Sequence, residues 1–401
     1  MNLKYLILVG DGMSDRPLPE LGGKTPLAAA STPHLDSLAA RGRLGTAVTI
    51  PPAAPEAGSD VGNLSILGYD PVQYACGRGP LEAANMGVEL GPEDVAFRCN
   101  LVTRDGDRMA DYSAGHISSE EARELIAALR EALGRPGLEF HPGVSYRHLF
   151  VWRNGRAEAV CHPPHDFTGG SLREHWPHGP GADLLGELIE RSWEILADHP
   201  VNRARIARGQ APANSIWFWG QGRPPRLATL PERFGIRGVV ISAVDLINGL
   251  GRLVGLEVVR VPGATGYLDS NLPGKAEAAL AALTGCDLAY VHVEAPDEAG
   301  HEGSLAKKIQ AIELFDAKVV GPIRAGLPGL GPHRILVLPD HATPLAVRTH
   351  TREPVPFVLY DSRGEHSFAR GFSEAEAASG EWREVPGPRL IEMLLEKQRC
   401  S

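Results

Sequence analysis

Short apolar runs ending at a glycine, proline or aspartate recur along the chain, and stretches with apolar residues at helical spacing lie between them. Tyr5-Leu6-Ile7-Leu8-Val9 is the first run and stops at Gly10-Asp11-Gly12; Gly45 to Ile50 is a second strand candidate. In the C-terminal part Gly238 to Ile241, Glu257 to Val259, Leu288 to Val293, Arg334 to Leu338 and Phe357 to Tyr360 predict further strands. Helices are predicted from Thr32-Pro33, with threonine as cap and proline in the first turn, from Asp60 to Leu67 and from Gly274 to Leu283. One long helix is expected from Ser304 to Ala325, with Leu305, Ile309, Ile312, Val319, Val320 and Ile323 on one face, and another near Pro388 to Leu395.

The texture changes between Cys76 and Arg226. Periodic helices (Ala122, Leu125, Ile126, Leu129, Leu133; Leu184, Leu185, Leu188, Ile189, Ile195, Leu196) alternate there with short strands, His148 to Trp152 and Ser215 to Trp219, separated by turns rich in glycine and proline. This predicts an α/β protein in two parts. Residues 1–75 and 227–401 form a discontinuous domain, and residues 76–226 a smaller α/β domain inserted into it. A chain of 401 residues fits two domains.

Composition narrows the class. Apolar content of 43% and charged content of 22% are those of a soluble globular protein. A net charge of −9 argues against nucleic acid as a partner, and no run approaches the length of a membrane span. The five cysteines show no ligand spacing and suit a reducing compartment; the Tyr5–Val9 run is too short for a signal segment, so a cytoplasmic protein is expected.

The chemistry gathers where strands end. Asp11 follows the first run, Asp297 and His301 follow Leu288 to Val293 in a loop opened by Pro296, and Asp340-His341 follow Arg334 to Leu338. Parallel strands bring such ends to one edge of a sheet. An Asx turn is the plain alternative for Asp11, and an N-cap for Ser59, which a proline-rich loop (Pro51 to Gly58) delivers to a helix start. With Ser59 and His350 there are seven candidate ligands, enough for two cations a few ångströms apart, the arrangement that phosphoryl transfer uses. A helix N-terminus also favours an anion at Ser59.

This order of residues resembles the alkaline phosphatase superfamily, and more narrowly the archaeal-type branch of the cofactor-independent phosphoglycerate mutases. The likeness extends through Ala57-Gly58-Ser59-Asp60, Gly77-Arg78-Gly79-Pro80, Ala96-Phe97-Arg98-Cys99-Asn100, Pro262-Gly263-Ala264-Thr265-Gly266, Ala311-Ile312-Glu313 and Pro339-Asp340-His341. It implies an alkaline-phosphatase-like sheet with helices on both faces, interrupted by a substrate-binding domain. It also implies two divalent ions, usually Mn, with Zn, Co or Mg as alternatives, and no 2,3-bisphosphoglycerate. Asp297, His301 and His350 would hold one ion; Asp11, Ser59, Asp340 and His341 would hold the other. Ser59 would carry the phosphoryl group between the two hydroxyls of a small phosphorylated substrate. His116 resembles the family's histidine that acts on those hydroxyls, and Arg78, Arg98, Arg147 and Asp166 are the candidate substrate contacts in the inserted domain.

Two departures stand out. The family's phosphate-side lysine has no counterpart that can be placed, and Trp219, in Trp219-Gly220-Gln221-Gly222, stands where many archaeal mutases have an arginine. Losing that cation leaves other readings open: a homoserine kinase-like phosphotransferase, a phosphatase or phosphopentomutase of the same superfamily, or a metal-binding pseudoenzyme.

Overall fold

The structure, a computed structural model, describes residues 3–54, 56–364 and 369–396. Pro55 of the proline-rich loop and Cys400 lie outside the described residues. The chain separates into two compact units, Met1–Ala75 with Leu227–Ser401, and Cys76–Arg226.

The first unit is built on an eight-stranded sheet in the order Trp382–Pro386, Arg43–Val48, Val355–Asp361, His333–Leu338, Lys4–Gly10, Leu288–Val293, Gly238–Ile241, Glu257–Val258. The last five of these run parallel, while Val355–Asp361 is antiparallel to both its neighbours. The three central strands are buried along most of their length, which is why they read as continuous apolar runs. Their register aligns the C-terminal ends: Val9 pairs with His292 on one side and with Leu338 on the other. Asp11, the residues after Val293 and Asp340 therefore leave the sheet at one edge.

The helix expected from Ser304 to Ala325 is not continuous. It runs regularly over Leu305–Phe315, widens into a π turn at Asp316–Val320, resumes at Gly321–Gly326 and tightens at Leu327–Leu330. Pro322 explains the change, because it has no N–H to give to the preceding turn. Buried Asp316 accepts the His34 and Leu35 amide protons at 3.2 and 2.7 Å. The helix Pro33–Ala39 is thus capped by a distant carboxylate, not by Thr32, whose side chain makes no cap bond.

The second unit is an antiparallel five-stranded sheet around Val95–Asp105, which pairs with Arg108–Asp111, Arg147–Trp152 and Ser215–Gly222; Leu138–Val144 flanks Arg147–Trp152. Helices Ser119–Leu133 and Ala182–Ala197 bury Leu125, Ile126, Leu129, Leu185, Leu188 and Ile189 in a core shared with Phe97, Phe150 and Phe218. Leu184 and Ile195, expected on the apolar face, are only partly buried against it. The central strand escapes the sequence pattern because it buries Arg98 and Asn100 among its apolar residues.

His148 sits in that core, 1% exposed, its Nδ1 accepting the Gly143 amide proton at 3.0 Å while Nε2 has no hydrogen-bond partner. Burial pushes its pKa down to about 3. The unfolded chain takes up this proton below about pH 6.5 and the folded one refuses it, so the neutral ring's contribution is complete above pH 6.5 and lost as pH falls toward 3. The slope is up to roughly 1.4 kcal/mol per pH unit. Urea midpoints between pH 6.5 and 4 should fall more steeply for the natural protein than for His148→Gln; equal slopes would contradict this origin.

Candidate metal centre and active site

Ser59 is the first residue of the helix Ser59–Ile66. That helix lies against the end of His333–Leu338 because Gly62 has no side chain: a Cβ there would come within 2.5 Å of the Asp340 carbonyl oxygen. One turn after Ser59, Asn63 donates from Nδ2 to Asp340 Oδ2 at 2.6 Å and accepts from the Tyr290 hydroxyl, fixing the Asp340 carboxylate. The Gly12 and His341 amides donate to Asp340 Oδ1 at 3.3 and 3.1 Å. Gly12 adopts φ +59°, and a Cβ there would meet Asp297 Oδ1 at 2.5 Å, so the turn after Lys4–Gly10 requires glycine.

Asp297 and His301 are not in a loop. They lie one turn apart on the helix Ala295–Glu302, with Pro296 in its first turn, where its missing N–H costs nothing. The i, i+4 spacing puts both side chains on one face, His301 Nε2 3.1 Å from Asp297 Oδ2.

Hydrogen bonds fix the imidazole tautomers. His301 Nδ1 donates to the Arg348 carbonyl at 3.0 Å and His350 Nδ1 to that of Ala57 at 3.1 Å. Both bare Nε2 atoms then face each other 3.0 Å apart, beside Asp297. Thr343 donates to Asp297 Oδ1 and so accepts from His341 Nδ1 at 3.2 Å. His341 Nε2 is left facing Ser59 Oγ at 3.1 Å and Asp11 Oδ1 at 3.4 Å. Lys308, fully buried, ties the loops together by donating to Asp15 at 2.8 Å, Thr343 O at 2.7 Å and Ser14 O at 3.2 Å.

Asp11, Asp297 and Asp340 are at most 4% exposed. Burial and the charges of Asp340 and Asp297 push the Asp11 carboxyl well above its usual range. Burial pushes Asp297 the same way, but without a metal, hydrogen bonds from the protonated rings of His301 and His350 outweigh it and hold that carboxyl well below. The Asp297 hydrogen bond raises His301 to about 9, whereas burial lowers His292 to about 4. Dry carboxylates facing bare imidazole nitrogens form cation sites, and mixed oxygen and nitrogen donors suit Mn, Zn, Co or Mg. Three groupings bring their donor atoms within 4.8 Å of one another: Asp297, His301, His350; Asp11, Asp297, His341; and Asp11, His292, Asp340.

All seven residues expected as ligands thus meet in the first unit. Sequence reasoning missed Asn63, Tyr290, His292, Thr343 and the Lys308–Asp15 pair. A signal existed for two of them: Tyr290 and His292 interrupt an apolar strand at i, i+2, one face of the pleat.

The remaining candidates belong to the second unit and also gather. Trp219 lies under two guanidinium groups, Arg98 at 5.0 Å and Arg78 at 5.5 Å from its ring, and donates to Asn100 Oδ1 at 3.0 Å. A chain of ring contacts runs Trp219–His165–Tyr112–Tyr146–His116, and Arg147 sits over Tyr146 at 5.9 Å. Asp166 is exposed, 3.6 Å from His165. His116 ends a run of three left-handed residues, Ala114, Gly115 and His116 (φ 49°, 64° and 50°). Such backbone persists only where it is held. Asp111 holds it, accepting from the Ser113 amide and hydroxyl and the Gly115 amide, each at 2.7 Å.

No helix among the described residues is long and apolar enough to cross a membrane. Residues 39–202 match the family model described as 2,3-bisphosphoglycerate-independent phosphoglycerate mutase. A Geobacter sulfurreducens protein named as a probable mutase of this type is 55% identical over 98% of this chain and 100% of its own length. A Methanosarcina barkeri mutase is 52% identical over 98% and 99%. Among solved structures, a Pyrococcus horikoshii protein superposes with a TM-score of 0.84 at 28% identity, covering 100% of both chains. The cofactor-independent phosphoglycerate mutase of Thermoplasma acidophilum gives 0.69 at 27% identity, covering 98% of this chain and 99% of its own. With half its residues identical to such relatives over nearly its whole length, the chain belongs to the 2,3-bisphosphoglycerate-independent phosphoglycerate mutases, a family of isomerases.

Proposed function

We propose that the protein interconverts 3-phosphoglycerate and 2-phosphoglycerate through a phosphoserine at Ser59, without 2,3-bisphosphoglycerate, in the cytoplasm. The observation that carries the reading is Ser59 Oγ at a helix start, 3.1 Å from a bare His341 Nε2 and beside buried carboxylates. Asp297, His301 and His350 would hold one divalent ion and Asp11, Ser59, Asp340 and His341 the other, Mn being the expected metal. Such ions, when bound, lower the pKa of the serine hydroxyl and neutralise charge on the phosphoryl oxygens.

Ser59 Oγ loses its proton and attacks phosphorus; the bond from phosphorus to the substrate oxygen breaks, and that oxygen takes up a proton. The glycerate stays bound, turns, and its other hydroxyl attacks the phosphoserine as it loses a proton, restoring Ser59. His116, exposed on its constrained turn, would move protons at the two glycerate hydroxyls. Arg78, Arg98 and Arg147 would hold the carboxylate and phosphate by paired donors, with Asp166 contacting the glycerate. Trp219, in place of an arginine, keeps cations at the site by stacking Arg78 and Arg98. Trp219→Ala should therefore raise KM by roughly tenfold, about 1.4 kcal/mol, with a smaller change in kcat. Steady-state kinetics check this, and an unchanged KM would remove Trp219 from substrate binding.

A homoserine acceptor has no support among the mutase relatives named above. A protein that turns over homoserine with a phosphate donor but not 3-phosphoglycerate would reverse the assignment.

A further inference from the structure

His292 falls in one of the three donor groupings but in neither of the two ligand sets expected for the ions, and it is fully buried between two strand ends. It pairs in register with Val9, two residues before Asp11, and its neighbour Val291 pairs with Ile241, just before Ser242. Its backbone is pinned by Lys275, whose Nζ donates to the His292 carbonyl at 2.8 Å.

The two ring nitrogens have different surroundings. Nδ1 lies 3.3 Å from Ser242 Oγ, which already accepts the Val244 amide proton and retains an acceptor site for the ring N–H. With the ring N–H donated there, Nε2 is the bare nitrogen. Nε2 points at the carboxylate cluster, 3.1 Å from Asp11 Oδ2, and completes no hydrogen bond. Asp11 Oδ1 is also without a hydrogen-bond partner. A distance of 3.1 Å is what two ligands set at right angles around one ion at about 2.1 Å would show, roughly 3 Å apart. An imidazole whose outer nitrogen is held by a hydroxyl and whose inner nitrogen faces acidic oxygens has the form of a metal ligand with its supporting partner.

We propose that His292 is a ligand of the ion held by Asp11 and Asp340, through Nε2, with Ser242 orienting the ring. This rests on the two-ion reading and adds a nitrogen to a site otherwise served by His341 alone. It gives each ion two imidazoles: His301 and His350 at one, His341 and His292 at the other.

The test uses the full-length protein, stripped of metal and reloaded with Co2+. Bound cobalt is counted by elemental analysis, and the ring N–H protons of coordinated histidines are counted by their large paramagnetic shifts in proton NMR. Two bound ions with four shifted ring N–H signals are expected, one of which disappears in His292→Phe. Ser242→Ala, a milder change in case His292→Phe fails to fold, should weaken one ion by about 10- to 100-fold and leave the other unchanged. Two ions with three signals in the unaltered protein would overturn the His292 assignment alone, as would unchanged cobalt affinities in Ser242→Ala. Fewer than two ions would overturn the two-ion reading, and this inference with it.

Discussion

Ser59→Ala is expected to lower turnover by about 10,000-fold or more while leaving the fold and at least one bound ion in place. The serine hydroxyl adds nothing to the core: the helix it begins is fixed by Asn63, Val61 and Leu64, all buried, and Asn63 holds Asp340 whether or not Ser59 Oγ is present. The covalent route cannot run without Oγ. Circular dichroism should match the natural protein, metal analysis should find at least one ion still bound, and brief exposure to phosphate-labelled 3-phosphoglycerate should label the natural chain but not the variant. Residual turnover within about a hundredfold of the natural rate would exclude the phosphoserine.

His301→Ala should cost one ion. His301 is half-buried, held through Nδ1 by the Arg348 carbonyl and facing Asp297 and His350 with Nε2, so its removal leaves the core intact and opens the Asp297–His350 set. The affinity for that ion should drop by about 100-fold or more, and at micromolar protein the metal count should fall from two toward one. The carboxylates are then undercompensated. Asp297, held low by His301 and His350, loses one of these two neighbours. An unchanged metal count would break the proposed ligand set.

How much of this was legible from the residues follows from what each segment buries. Central strands covered on both faces show as unbroken apolar runs, and aspartates where those runs stop mark the sheet edge where the donor groups gather; Asp11, Asp297 and Asp340 could be placed for that reason. The helix Ala295–Glu302 was obscured by Pro296, which reads as a breaker but serves as a first-turn residue. The π turn at Asp316–Val320, set by Pro322, places Asp316 at the His34 and Leu35 amides, a contact that helical spacing does not show. Tyr290 and His292 were hidden inside an apolar run, and Lys308 inside a helix, because buried polar residues are recognised by partners that lie far away in sequence: Asn63, Asp11 and Asp15. Trp219 looked like a lost cation, yet its ring gathers two others.

The central claim is tested most directly by assaying the metal-stripped protein with 3-phosphoglycerate in a coupled enolase reaction, adding Mn2+ or Co2+ and no 2,3-bisphosphoglycerate. Turnover that returns with the metal alone is the predicted result. No turnover with either metal, in folded protein shown to hold two ions, would contradict the account.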